Sequence, residues 1–394
     1  MSAPLIIIGT GLAGYNLVKE IRKQEQNRSI IMLTHDDGRQ YSKPMLSTGI
    51  SKGKDADGLA MKDATTMAKD LQVDIRNFQK VSRIDSKNKK VFVQDNEIEY
   101  SDLVLALGAE PIRLPITGHE HLMQVNDLMD YRVFQQSVQN KQNILVLGAG
   151  LVGCEFAHDL ASAGFNVHLV APETHPLSRL LPKDCGEALI SALQDLGVTL
   201  SLGRSAVAVS KQTHGFEVTL DDDQKITSDV VLSAVGLKAR TDLAKQAGLS
   251  VGRGIRVNRQ LQTSEEHIYA LGDCAEVAGL HLLYVLPLMN CARSLAKTLT
   301  GQESTIQYPV MPIIIKTPSL PIVTCPPEDP AKGQWHIDGQ SPHLKALFKD
   351  ANEALLGYAL TGNYVAEKFK LNMQLSEHGF QDKEVKVAPK CEIS

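Results

Sequence analysis

Twice in this chain an apolar strand runs into a Gly-x-Gly-x-x-Gly turn and then into a helical pattern. Few folds accommodate that arrangement even once. The first copy is LIIIGTGLAGYNLVKEIRK. Leu5 to Ile8 read as a buried strand, Gly9, Gly11 and Gly14 as the turn, and Leu12 onward as a helix. Leu12, Tyr15 and Val18 face inward at helical spacing, with Lys19 and Lys23 outward. A second strand, Ile30 to Leu33, follows. The other copy is NILVLGAGLVGCEFAHDL, with Ile144 to Leu147 as strand and Gly148, Gly150 and Gly153 as turn. Its helix runs to about Ala163 and ends at Gly164, before the strand Val167 to Val170. In each, the first glycine permits the tight turn, the second lets backbone approach a pyrophosphate, and the third lets helix close on strand. The helix N-terminus then offers unpaired N–H groups to phosphate. Two such units imply two dinucleotides.

Three further strands end in glycine: LVLALGAEP at Gly108, VVLSAVGLKART at Gly236, and the strand Ile268 to Leu271 before Gly272-Asp273. A chain that leaves the first unit after Gly108, builds the second and returns after Gly236 explains their order. The expected fold is α/β, with two Rossmann-like domains, the first discontinuous and the second inserted in it. The first spans 1–110 and 236–308, and the second spans 111–235. From Pro309 prolines punctuate short apolar runs, and alternating runs such as HLKALF and ALLGYAL follow. Residues 309–394 therefore read as a small α/β C-terminal domain with an antiparallel sheet. The polar end, from about Gly379, reads as poorly ordered.

The adenosine ends are less clear. Thr34-His35-Asp36-Asp37 follows the second strand, so Asp36 is the nearest ribose acid, with backbone of Thr34 and His35 as the alternative. After Val170 stand Ala171, Pro172 and Glu173, and the nearest bases are His175 and Arg179. A site for a 2′-phosphate places Arg close by, so this pattern favours NADH over NADPH.

A net charge of −4 is wrong for a general nucleic-acid binder. No apolar run approaches the roughly 20 residues of a membrane helix, so no membrane insertion is expected. The run Leu5 to Ile8 is too short for a signal segment, and none of the six cysteines stands in CxxC or zinc spacing. Free thiols in the cytoplasm are expected. His119 and His121 flank Glu120 in a polar turn, with no metal-binding pattern.

Together these segments resemble the FAD-dependent pyridine nucleotide oxidoreductases, over nearly the whole chain. More closely, GTGLAGYNLVKEI, DDGRQYSKPMLSTG, KDADGLAM, LGAEPIRLP, GAGLVGCEFAHDL, GDCAEVAGLHLLYVLPLMNCAR and KTP are similar to the bacterial rubredoxin–NAD reductases. The resemblance implies FAD on the first cradle, NADH on the second, and rubredoxin as acceptor, feeding alkane hydroxylation. It implies Thr10, Gly11, Leu12 and Ala13 on the FAD pyrophosphate and Val81, in the KVSRID turn, at the adenine end. Asp273 would hold the ribityl chain, and Val285 would present backbone N–H to the flavin pyrimidine. Lys43 and Lys316 would lie near the flavin, and Glu155 at the contact between flavin and nicotinamide. Set against these roles, Val81 and Val285 also suit a core, Glu155 a solvated helix start, and Lys316 a strand edge.

Many relatives carry a redox cysteine pair on the first helix, or one cysteine near Tyr41-Ser42-Lys43. Neither is present here. Cys154, Cys274 and Cys291 read as small core residues. Electrons would then pass directly to an outside carrier. A [2Fe–2S] ferredoxin or flavorubredoxin is an alternative acceptor, and an NADH-sensing regulatory flavoprotein an alternative class. Arg39, Lys52 and Lys54 are candidate basic residues for docking an acidic carrier.

Overall fold

The structure is a computed structural model and describes residues 3–377. The polar end from Gly379, and Cys391 within it, lie outside the described residues. Leu5–Ile8 is the central strand of a five-stranded parallel sheet. Ile30–Leu33 and Asp74–Arg76 lie on one side, Asp102–Leu105 and Ile268–Ala270 on the other. Leu5, Ile6 and Ile7 have no exposed surface, as an all-parallel strand covered on both faces requires. Helices Leu12–Arg22 and Val285–Leu299 pack against each other over this sheet. The strand Ile268–Ala270 comes from far beyond the second glycine turn, so the first sheet is completed by returning chain.

What lies between is a second parallel sheet, ordered Thr199–Leu202, Asn166–Ala171, Asn143–Leu147, Val230–Ser233. The chain crosses between the two sheets on an antiparallel ribbon. Ala109, Glu110 and Pro111 pair with Ala239, Lys238 and Leu237. Gly108 and Gly236 stand at its two entries with φ of 68° and 120°, a region side chains other than glycine rarely adopt. Backbone bonds from Arg240 N to Gly108 O (3.1 Å) and Ile112 N to Gly236 O (3.0 Å) extend the ribbon at its ends.

The C-terminal unit is a five-stranded antiparallel sheet, ordered Ile313–Ile315, Ile322–Cys325, Leu355–Thr361, His343–Lys349, Gln334–Gln340. One face shares a core with the second unit: Ile315, Ile322, Ala346 and Ala359 join Leu181, Cys185 and Leu189. The helix Lys368–Glu377 covers the other face, with Leu371 and Leu375 against Tyr358 and Leu360. One local expectation changes. Val81 does not sit in a turn but opens the strand Val81–Asp85, the first of a three-stranded antiparallel meander with Lys90–Val93 and Asn96–Glu99. Val81, Ile84, Val91 and Val93 are all buried against the first core; Val91 and Val93 alternate, while a bulge between Val81 and Arg83 brings Ile84 to the same face as Val81.

The helix of the second glycine turn, Leu151–Ser162, buries polar residues beside the apolar face of Cys154, Phe156, Ala157 and Leu160 that joins the core. Glu155, His158 and Asp159 are each at most 6% exposed. Asp159 accepts from the backbone N–H of Ile50 (2.9 Å) and Ser51 (3.2 Å) and from the Ser51 hydroxyl. His158 Nε2 accepts from the backbone N–H of Ser319 at 3.1 Å. One helix thus grips a loop of the first unit and a turn of the C-terminal unit. Because Nε2 accepts, His158 is neutral there, and burial pulls its pKa below the ordinary 6.5. The unfolded chain therefore takes up this proton first as pH falls, so stabilisation present above pH 6.5 is lost below it. A glutamine can offer an acceptor in the same place without titrating. Between pH 7.5 and 5.5 the denaturant midpoint of the wild-type protein is expected to fall further than that of His158→Gln. Asp159, raised by burial, is common to both and cancels. Parallel midpoints would show that His158 does not titrate against this contact.

Candidate functional site

Both glycine turns open on one continuous cavity of about 1600 Å³. A pocket for one small ligand is roughly 300–1,000 Å³, so this one has room for two. Gly9, Thr10, Gly11, Leu12 and Ala13 line it from the first turn, and Gly148, Gly150 and Glu155 from the second. Thr34, His35, Lys43, Val81, Asp273, Val285 and Lys316 line it as well. Gly14 and Gly153 do not. They sit behind the wall, where a Cβ would come within 2.0 Å of Gly9 O and 1.8 Å of Gly148 O. Their role is helix-on-strand packing.

Gly11 and Gly150 differ from the other glycines of the two turns. Each precedes its helix at an ordinary negative φ (−67° and −76°), and a Cβ on either would meet nothing within 4 Å. Nothing in the fold requires glycine at these two positions; what a side chain would fill is the cavity in front of the helix N-terminus. Space of that kind, open in front of a helix N-terminus, is what a pyrophosphate would need.

Asp36, the nearest acid to the first adenosine end, is committed to its own turn. Its Oδ1 accepts from Thr34 Oγ1 (2.6 Å), Thr10 Oγ1 (3.3 Å) and the N–H of Gly38 (3.0 Å). It lines the cavity while tying the first turn to the second strand. At the other cradle Glu173 and Arg179 line the cavity, and the fold adds Arg204, which sequence position did not suggest. Arg204 Nε is paired with Asp222 at 2.6 Å.

Lys43 opens the short 3₁₀ helix Lys43–Thr48, with Pro44 in its first turn. Its ammonium donates to Asn126 Oδ1 at 2.9 Å and lies 3.8 Å from Asp273 Oδ2. Burial lowers its pKa, with Asp273 opposing. Asp273 is itself placed by Gly272-Asp273-Cys274, just past the returning strand, and its carbonyl faces His281 Nε2 at 3.0 Å. Two residues singled out separately in the sequence are therefore one pair. Asn126, which holds the Lys43 ammonium, carried no sequence signal.

Glu155 and Lys316 form a second pair. Glu155 is 3% exposed, not a solvated helix-start acid. Its Oε2 accepts from Ser47 Oγ (2.6 Å) and the Lys316 ammonium, and its Oε1 from the Lys316 backbone N–H (3.1 Å). Lys316 Nζ also reaches Ser47 Oγ (2.8 Å) and the Pro44 carbonyl. Lys316 is thus not a free strand-edge lysine. Of the loop cations, Arg39 is engaged by Asp37 (2.7 Å) and Asp57 (2.5 Å), while Lys52 and Lys54 are exposed. The cysteines among the described residues are free and buried. Burial raises the Cys154 thiol and pushes Cys274 up to about 12, so neither is a ready nucleophile.

Residues 3–297 match the family pattern described as pyridine nucleotide-disulphide oxidoreductase. The chain belongs to this family. Residues 305–375 match a second pattern, the rubredoxin binding C-terminal domain. The rubredoxin-NAD(+) reductase of Alcanivorax borkumensis is 51% identical over 375 residues, 94% of this chain and 98% of that one. That of Acinetobacter baylyi is 39% identical, over 91% and 94%. Among solved structures, a ferredoxin reductase from Rhodopseudomonas palustris superposes with a TM-score of 0.85, covering 93% of each chain. At 23% identity that likeness shows the fold.

Pyridine nucleotide-disulphide oxidoreductases use FAD and NAD(H), and both suit what is here. The two open glycine positions, two helix N-termini and a cavity large enough for two ligands fit these groups. Gly11→Ala is expected to fold normally yet purify with little FAD. Gly150→Ala should keep its FAD and lose NADH affinity by about tenfold or more, roughly 1.4 kcal/mol. Flavin absorbance, the unfolding midpoint and NADH titration check the pair. Normal FAD content in Gly11→Ala would show that the space beside Gly11 is not the pyrophosphate site.

Proposed function

We propose that this chain transfers electrons from NADH to rubredoxin. The observation that carries the proposal is the position of the segment matched as rubredoxin-binding. It supplies Met311, Pro312, Ile313, Ile314 and Lys316 to the wall of the same cavity that both glycine turns open on. A carrier held by that segment would stand beside the cofactors. The two rubredoxin-NAD(+) reductases among the relatives support the same acceptor. On this reading the flavin unit takes 1–110 and 236–308, the nicotinamide unit 111–235 and the carrier-facing unit 309–394. Reduced rubredoxin would feed alkane hydroxylation. A cytoplasmic location suits the reading, and no described helix is long and apolar enough to cross a membrane.

The residues then take distinct tasks. Backbone N–H groups at the first helix N-terminus would hold the FAD pyrophosphate, with Thr10 to Ala13 lining it, Thr34, His35 and Val81 at its adenine end and Asp273 at the sugar-alcohol chain. Val285, first residue of the helix Val285–Leu299, would offer its N–H to the flavin pyrimidine. The second helix N-terminus, at Gly150, would hold NADH. Glu173 stands in the cavity wall with Arg179 and with Arg204, which Asp222 pairs; the carboxylate there suits a ribose hydroxyl and opposes a 2′-phosphate. Glu155, fixed by Lys316 and Ser47, would border the place where the two cofactors meet. When bound, FAD supplies hydride acceptance from NADH and one-electron delivery to an iron carrier. Lys43 would place positive charge beside it.

Two measurements test this. The purified protein is expected to reduce rubredoxin with NADH faster than a [2Fe–2S] ferredoxin or oxygen. Faster ferredoxin reduction would overturn the acceptor and leave the family untouched. Lys43→Met is expected to keep FAD while lowering its potential, because a nearby cation favours the reduced, more negative flavin. A unit charge at about 4 Å is worth ~4 kcal/mol at an effective dielectric of ~20. That is a ceiling of ~90 mV for a two-electron couple. Asp273, 3.8 Å from the ammonium, offsets part of it, so a shift of tens of millivolts is the expected outcome. An unchanged potential would remove the electrostatic role of Lys43.

A further inference from the structure

Asn126 is 4% exposed, lines the cavity, and has no glycine or charge pattern around it to mark it out. Its side chain has two partners of opposite character. Nδ2 donates to the carbonyl of Ala109 at 3.0 Å, and Oδ1 accepts from the Lys43 ammonium at 2.9 Å. A carbonyl can only accept and an ammonium can only donate. The amide therefore has one orientation, since turning it over would set acceptor against acceptor and donor against donor. Its main chain is held as well: Asn126 N–H donates to Asp130 Oδ2 at 3.0 Å, and Asp127 caps the helix Leu128–Ser137 through Asp130 N–H at 2.9 Å. Ala109 lies in the crossing ribbon. The lysine is thus anchored to the ribbon through one buried amide.

We propose that Asn126 is a positioning residue that fixes the Lys43 ammonium at the flavin without adding a negative charge of its own, which rests on the reading of Lys43 above. The choice of an amide matters. Aspartate has nearly the same shape and would also accept from Lys43. It would place a full negative charge in hydrogen-bond contact with the ammonium and turn an oxygen toward the Ala109 carbonyl. The charges already around Lys43 are Asp273, Arg240, Asp127 and Asp130. Of the acids, Asp273 is the one paired with it, and at 3.8 Å it stands beyond hydrogen-bond distance. A neutral acceptor orients the lysine without adding to that compensation.

The test is the flavin midpoint potential of the purified holoprotein, set against redox dyes at pH 7. Wild type, Lys43→Met, Asn126→Asp and the double variant are compared, with flavin absorbance and unfolding midpoint as checks on folding. Asn126→Asp is expected to shift the reduction equilibrium about tenfold toward oxidised flavin, ~30 mV for a two-electron couple. The same substitution should shift it less when Lys43 is already methionine, since a carboxyl buried there without the ammonium beside it takes up a proton and loses its charge. Asn126→Ser, too short to reach, should lower the potential in the same direction by less than Lys43→Met, as the ammonium turns to Asp273. It decides the matter if the aspartate variant does not fold. Equal shifts from Asn126→Asp in both backgrounds would overturn the proposal, as would a wild-type potential in either Asn126 variant. A lowered potential in Lys43→Met with unchanged Asn126 variants sinks only the role of Asn126. A wild-type potential in Lys43→Met sinks the reading of Lys43 and this inference with it.

Discussion

Glu155 is a carboxylate with almost no access to water, and the arrangement around it holds three parts of the chain together. Its donors come from Ser47 in the Lys43 loop and from both the backbone and the ammonium of Lys316. The carboxylate itself rides on the helix that starts at the second glycine turn. Removing one partner of a buried pair costs about 3–5 kcal/mol, because the other charge is left uncompensated. Stability alone does not account for such a pair, since a well-packed apolar replacement is often as good. What the pair supplies is geometry. The Lys43 loop, the helix of the second glycine turn and the C-terminal strand cannot shift independently without breaking it.

Asp159 and His158 extend the same logic one turn further. Asp159 takes the backbone of Ile50 and Ser51, and His158 takes that of Ser319, so the helix is tied on both sides of Glu155. The turn between the strands Ile313–Ile315 and Ile322–Cys325 is thereby clamped at Lys316 N–H and Ser319 N–H by residues three apart on one helix. Residues at that spacing share a helix face, so one face can grip both ends of a short turn. The C-terminal sheet then continues the core of the second unit through Ile315 and Ile322. A carrier docking on that sheet would rest on a surface fastened to the helix of the second glycine turn.

The strands and helices of both glycine turns were legible because their causes are local. Leu5 to Ile8 is apolar because both of its faces are covered, and Gly9 and Gly148 turn where φ reaches 118° and 104°. The insertion was legible too, since Gly108 and Gly236 punctuate the two crossings. Val81 was misread because lysines and serine among its neighbours suggest a turn, and a bulge between Val81 and Arg83 breaks the alternation that would have marked a strand. The pairs were not legible at all. Lys43 meets Asn126 across 83 positions and Lys316 meets Glu155 across 161. A lysine or a glutamate shows no partner in its own neighbourhood. Lys316 was marked only by resemblance, and its actual neighbours are the Lys43 loop and the second helix. Asn126 precedes a helix cap and looks like part of it.

The thiols complete the argument about where electrons can go. Passing them to a disulphide would need a cysteine beside the flavin, and the loop that lines the cavity carries Ser42-Lys43 instead. Cys154 is the nearest thiol to the second turn, yet its sulfur points to the Ala149 carbonyl at 3.3 Å inside the core. A buried thiol raised above its ordinary range is a poor thiolate, so it offers no relay. In place of a thiol the loop carries a fixed cation, held by Asn126 and only loosely compensated by Asp273. A cation is not a redox partner. It acts on the energy of charge arriving beside it and needs no motion to do so. A loop built this way suits a site that passes electrons outward through its cofactors, with the protein setting their energy and position.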